Sequence, residues 1–181
     1  MSQANVQPGL GNRGWQDRGG TDRGGSAVAG GIVAGLIAGV VMGVVSMLHA
    51  AATGLGFFLP LRLIAATAYG VDAEIGGANV ITAGLALHLI ASMIFGLIFG
   101  VLVGRRMHAG VAFVWGLIYG IVVWALMTFI GLPSIDPTMR ARVAMMPISW
   151  FINHLVFGGM LFLTPLLSRA FAHGGGRSVA A

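Results

Sequence analysis

The residues in this chain whose chemistry stands out are His49, His88 and His154. Each lies in a long apolar run that holds no acidic or basic side chain. A polar ring is costly to bury in such surroundings, so its presence points to a site. Three kinds of chemistry suit it. A neutral imidazole can bond a serine, an asparagine or a carbonyl on the next helix. It can take up and release a proton near neutral pH. Two facing imidazoles can also hold a haem iron or another metal. Ser92 follows His88 by four residues, and Gly158 follows His154 by four, so small groups share the helical face of each ring. Ser46, Trp150 and Asn153 offer hydrogen-bonding partners nearby. His49 falls six residues beyond Gly43 and projects away from the glycine row on its own helix, which leaves His88 and His154 as the candidate proton or haem site.

A haem would need a flat gap between facing imidazoles and basic groups for its propionates. The pair Gly158-Gly159 is a candidate for the gap, and Arg62, Arg140 and Arg142 for the propionates. Membrane cytochromes commonly place two histidines on one helix to serve two haems, and this chain has no such pair. The expectation is therefore no resident cofactor and no metal site. Ten methionines include one adjacent pair, Met145-Met146, a weak copper signal. Catalysis has less support. No carboxylate lies within an apolar run, so paired acid–base work and carboxylate-bridged metals are excluded there. Ser149 and His154 have no acid beside them to complete a hydrolytic triad. The glycine repeats lack the strand and the closing Lys-Ser/Thr of a phosphate loop. No catalytic residue is assigned, and the chain reads as a non-enzyme.

The elements that carry these histidines follow from composition. Only 8% of the residues are charged, against roughly 25% in a soluble domain. Mean hydropathy is +0.91. So few charges cannot cover a water-facing surface, and the lipid bilayer is the expected partner. There is no cysteine, hence no disulfide and no thiolate chemistry. A helix needs about 20 apolar residues to cross the hydrocarbon core. Four runs qualify: 27–50, 79–103, 110–131 and 147–168. Pro60 opens a short helix over 60–69 that is expected to lie in the interface, anchored by Arg62 and Tyr69. Asp136-Pro137 suits the N-cap and first position of a second short helix, 137–145, which is expected to carry Arg140 and Arg142 along the outer surface. Pro165 is positioned to kink or end the fourth run.

A phrase repeats along the chain. Gly35-Leu36-Ile37-Ala38-Gly39 returns as Gly116-Leu117-Ile118-Tyr119-Gly120. Each copy precedes a Leu-Pro pair (Leu59-Pro60, Leu132-Pro133) and then a His-Leu pair (His88-Leu89, His154-Leu155). The fold class that follows is all-α: a four-span bundle built from two parallel helical hairpins, with short interfacial helices in the two outer loops. At about 1.5 Å per residue, His88 lies roughly 13 Å and His154 roughly 10 Å from the outer ends of their spans, at matched depth. Glycines every four residues (Gly31, Gly35, Gly39 and Gly43; Gly96, Gly100 and Gly104; Gly116 and Gly120) let helix backbones approach closely. The Gly31–Gly43 face is a candidate contact for a homo-oligomer or a larger membrane complex.

All ten basic residues are arginine, and seven lie in the N-terminal tail, the Arg105-Arg106 turn and the C-terminus. The positive-inside rule then places both termini in the cytoplasm. Residues 1–26 are expected to form a disordered cytoplasmic tail, 27–168 the membrane domain, and 169–181 a second cytoplasmic tail. Three Arg-Gly pairs in the first tail are too few for a nucleic-acid segment, and no nucleic-acid partner is expected.

The order of motifs resembles a group of small bacterial four-helix inner-membrane proteins known by domain-of-unknown-function names. The resemblance rests on Gly35–Gly43, on His88 with Phe95-Gly96 and Phe99-Gly100, on Gly120–Trp124 followed by Leu132-Pro133, and on His154-Leu155-Val156-Phe157-Gly158. It covers roughly residues 27–168 and leaves out the stretch between Asp136 and Met146. More loosely, the chain is similar to the YagU-like proteins linked to acid resistance. The resemblance implies the four-helix fold and the bacterial cytoplasmic membrane as the address, and no activity. The functional expectation is a structural or accessory membrane subunit. Its alternatives are a proton-linked carrier or acid-stress protein using His88 and His154, and a small b-type haem-binding subunit.

Overall fold

A computed structural model describes residues 13–104 and 106–174, without the side chains of 13–23, 139, 140, 145 and 174. The remainder of both tails, Arg105 and the side chain of Arg140 lie outside the described residues. The first long helix, α1, runs Arg13–Ala52. It starts inside the stretch expected to be a tail, because a helix held in place by packed turns extends at little cost per added residue. A short helix, α2 (Leu59–Tyr69), and a 3-10 turn (Val71–Ile75) lead to α3 (Ala78–Val103). Then come α4 (Ala109–Leu126), a π-helical turn (Met127–Gly131) and α5 (Leu132–Ile135). The chain ends in α6 (Met139–Met145), α7 (Pro147–Met160) and α8 (Leu163–Gly174).

The fold is all-helical among the described residues, with four helical stretches long and apolar enough to cross a membrane: Gly24–Ala52, Ala78–Val103, Ala109–Ile135 and Pro147–His173. This is a multi-pass membrane architecture. The spans alternate in direction, and α1 pairs with α3 while α4 pairs with α7. The two hairpins meet mainly where α1 packs on α7 and α8. On the opposite side α3 and α4 stand further apart, bridged by Tyr119. Its hydroxyl donates to the Phe95 carbonyl at 2.9 Å, and its ring lies 5.2 Å from that of Phe99.

Proline shapes both halves of the second hairpin. Pro165 has no N–H for the carbonyl of Leu161 four residues back, and its ring crowds that carbonyl. The helix accordingly ends at Met160 and restarts at Leu163, so the break precedes Pro165 instead of falling at or after it. Pro133 makes the same demand on Phe129, and there the chain widens into the π turn and continues to Ile135. Leu132-Pro133 is therefore not the point of exit from the helix. Leu59-Pro60 does open α2 as expected.

The glycine rows divide the work differently from the sequence expectation. A Cβ on Gly31 would sit 2.9 Å from the Gly100 Cα, and one on Gly35 would sit 2.7 Å from the Gly96 Cα. Gly116 and Gly120 meet Gly158 in the same manner, with 3.2 Å from a Gly120 Cβ to the Gly158 Cα. These are backbone-on-backbone contacts that only glycine permits. Gly39 and Gly43 do something else: they leave room for Ser92 and the His88 ring, whose Nε2 would lie 3.5 Å from a Cβ at Gly43. Gly104 is not a packing residue at all. It ends α3 with φ +60° and has open space around it. The Gly31–Gly43 face is thus covered by α3 of the same chain and is not free for a second copy.

Candidate functional site

At the end of the bundle opposite the termini lies a partly open cavity of about 270 Å³. Its walls come from α1, α2, α3, the end of α4 with the π turn and α5, and α7, and α6 lies across the top. α2 does not simply rest at the surface. Its Leu61 and Ala65 are buried, and Gly84 of α3 lets the Leu61 backbone approach to a distance any side chain would block. Gly84 falls on the same four-residue step as Gly96 and Gly100, with His88 and Ser92 between, and it is the residue that closes this wall.

His88 and His154 both line the cavity; His49 is exposed and does not. The Nε2 of His88 lies 2.9 Å from the Gly39 carbonyl on α1. The Nδ1 of His154 lies 2.8 Å from the carbonyl of Trp150, one turn back on its own helix. A carbonyl only accepts, so each of these nitrogens carries the proton and donates. The two neutral rings are therefore opposite tautomers. The second nitrogen of each, Nδ1 of His88 and Nε2 of His154, has a free lone pair and no hydrogen bond among the described residues.

The two histidines are not equivalent under the repeat. Gly35 faces the Ser92 carbonyl and Gly96, whereas Gly120 faces the His154 carbonyl and Gly158. The packing register thus equates His154 with Ser92 and Gly35 with Gly120. Counted from that shared contact, His88 lies one helical turn, about 5.4 Å, beyond the position that corresponds to His154.

Arg142 roofs the cavity and is 6% exposed, instead of lying along the outer surface. Its Nε donates to Oε1 of Glu74 at 2.6 Å, and its Nη1 donates to Oδ2 of Asp136. The loop between α2 and α3 is thereby tied to the loop between α5 and α6. Asp136 also accepts from the backbone N–H of Thr138 at 2.9 Å and from its hydroxyl at 2.7 Å. This is a local turn just ahead of α6, and Asp136 lies two residues before the cap position at Thr138 instead of occupying it. The Thr138 hydrogen bonds, with Arg142 behind them, hold the Asp136 carboxyl below the ordinary carboxylate range.

No family model, curated protein or solved structure matches this chain. Its function is therefore argued from the site.

The residues do not fit a haem. Gly158 is filled by α4 backbone, and a Cβ at Gly159 would lie 3.2 Å from the Phe113 ring, so the glycine pair opens no gap. Arg142 is engaged by two carboxylates, and Arg62 does not line the cavity. Among the described residues no cluster of three histidine or acidic side chains is arranged for a metal ion.

Proposed function

We propose that the chain is a proton-linked binding or carrier protein of the bacterial cytoplasmic membrane, with both termini cytoplasmic and the cavity in the outer half of the bilayer. One observation carries the proposal: His88 and His154, from different hairpins, line the same cavity, and each keeps one ring nitrogen without a hydrogen bond among the described residues. A purely structural role accounts for one nitrogen of each ring and leaves the other without purpose. A basic nitrogen without a partner is where a proton enters. The arginine distribution supports the orientation, since Arg106 and Arg169 lie at the end away from the cavity. No carboxylate lines the cavity, so the proposal assigns no catalytic group.

The test is a proton-flux assay in proteoliposomes, with His88→Ala and His154→Ala beside the parent chain, and nitrogen-15 spectra of both imidazoles across pH. Flux that falls in both variants, with both rings titrating, supports the proposal. Unchanged flux in folded variants returns the histidines to a structural role and the chain to that of an accessory subunit.

A further inference from the structure

The cavity is bounded differently on two sides. At the end of the bundle it is roofed by Arg142, which is 6% exposed and held by Glu74 and Asp136 from two separate loops. Its flank is open. The two hairpins meet through α1, α7 and α8, while α3 and α4 stand apart, and the lining reaches across that gap. Leu87 and Ala91 of α3 line it on one side and Met127 and Ile135 on the other. Ile135 is 66% exposed, so the surface breaks open beside it. All four of these side chains are apolar. Both α3 and the stretch Ala109–Ile135 are long and apolar enough to cross a membrane. In a bilayer the gap between them therefore opens onto hydrocarbon, while the charged roof stands between the cavity and water.

The interior is more polar than the mouth. Ser92, Asn153 and His154 are buried in the lining, and Ser46, His88 and Ser149 are half-buried there. Hydroxyl, amide and imidazole groups together can both donate and accept. Arg142 is the charged residue of the lining, and its charge is met by two carboxylates that lie outside it. An unpaired charge in such surroundings is strongly disfavoured. The fitting occupant is thus neutral, with a small polar head and an apolar body. An apolar protein cavity of about 150 Å³ accommodates benzene. This cavity of about 270 Å³ has room for a head and the first carbons of a chain, and the open flank lets the rest of the chain stay among the lipids.

We propose that the cavity takes a neutral single-chain amphiphile, of the long-chain alcohol class, directly from the bilayer through the gap between α3 and α4. The head lies among Ser92, Asn153 and His154, and the chain leaves past Ala91 and Ile135. The proposal rests on the cavity being the working site of the proposed function, and it names what that site holds and the side from which it is filled.

The experiment uses the full chain in proteoliposomes, with Trp15→Phe, Trp115→Phe and Trp124→Phe leaving Trp150 of the cavity lining as the one indole. The probes are alpha-brominated hexadecanol, its sulfate ester, and a phosphatidylcholine brominated at the same carbon, each read by quenching of tryptophan fluorescence. The alcohol is expected to quench saturably and the permanently charged sulfate to bind about tenfold or more weakly. The phospholipid is expected to quench only in proportion to its amount. Ala91→Phe, which fills the mouth, is expected to abolish the saturable part. The route is read separately, because the chain has no cysteine. Ser149→Cys places a thiol in the cavity and Thr53→Cys one at an exposed position after α1. Lipid-soluble benzyl methanethiosulfonate is expected to outpace the charged sulfonatoethyl reagent by about tenfold more at position 149 than at position 53. Alcohol quenching that never saturates, a sulfate that binds as well as the alcohol, or the same reagent preference at both positions overturns the proposal. Proton flux that depends on titrating imidazoles, in a protein without a saturable alcohol site, defeats the occupant and leaves the proton-linked function standing. A saturable site in a protein whose rings never titrate defeats that function and leaves the occupant standing.

Discussion

The two hairpins share one glycine register and use their histidines in opposite ways. In the first, Gly31 and Gly35 seat α1 on Gly96 and Gly100, and His88 reaches across to the Gly39 carbonyl. In the second, Gly116 and Gly120 seat α4 on Gly158, and His154 turns back to its own helix. The difference shows that backbone packing and the polar site are separable layers. Duplicated glycines fix how closely the helices of each pair approach. One turn along from that contact stand Ser92 in one copy and His154 in the other, and a further turn along stand His88 and Trp150; only His88 ties its two helices together with an imidazole.

The strongest way to break the comparison is at the glycines. Gly35→Ala drives a Cβ onto the Ser92 carbonyl oxygen, and Gly120→Ala drives one onto the His154 carbonyl oxygen at nearly the same separation. Unfolding in mixed micelles is expected to show a loss of about 3 kcal/mol for each. Gly24→Ala, with open space around it, is the control and changes nothing measurable. A clearly smaller loss at Gly120 would show that the second hairpin gives way more easily than the first.

Next in size is the roof. Arg142→Gln removes the tie between the loops above both hairpins and leaves Glu74 and Asp136 to repel each other. The thermal midpoint is expected to fall by several degrees, while Arg62→Gln, outside the cavity, moves it little. The tie also has a pH signature. Because the Asp136 carboxyl is held low in the folded chain, its contribution is fully present above the ordinary carboxylate range. It is lost as pH falls through the lowered value, so acid should erase the difference between Arg142→Gln and the parent chain. A difference that persists at the acid end would sink that assignment.

The histidine contrast itself is smaller in energy and sharper in spectroscopy. His88→Ala removes a bond between helices, worth roughly 0.6–1.7 kcal/mol. Nitrogen-15 spectra of the neutral rings are expected to show the Nε2–H form at His88 and the Nδ1–H form at His154. The same tautomer at both positions would contradict the opposed roles. Smallest of all is Tyr119→Phe, which unlinks α3 from α4 at the Phe95 carbonyl. About 0.6 kcal/mol is expected from unfolding measurements, and a larger loss would mean that the wide side of the bundle depends on this one contact.

Much of the architecture was legible in the residues because the bilayer is a simple solvent. A chain with 8% charged residues must present apolar runs, and runs of this length become spans. Pro60 and Pro147 mark helix starts by the same local rule that reads them in any sequence. The prominence of His88 and His154 was equally plain, since no other histidine sits so far inside the apolar runs. What spacing could not supply was register. Aligning the repeated phrase pairs Gly35 with Gly116, and only the packed backbones show that Gly35 corresponds to Gly120.

By itself, then, the sequence determined an all-helical bundle of four apolar helices, two hairpins, and a pair of histidines without acidic neighbours. These follow from local composition, helix period and the scarcity of charge. The tertiary structure alone decided that Arg142 turns inward to meet Glu74, 68 residues earlier in the chain. It decided that Gly84 admits α2 to the cavity wall, that Gly158 and Gly159 are filled, and that each imidazole leaves one nitrogen unengaged. Those facts depend on which surfaces meet across long separations in the chain. A helical period records which face a residue occupies, but not what stands opposite that face once the helices have packed.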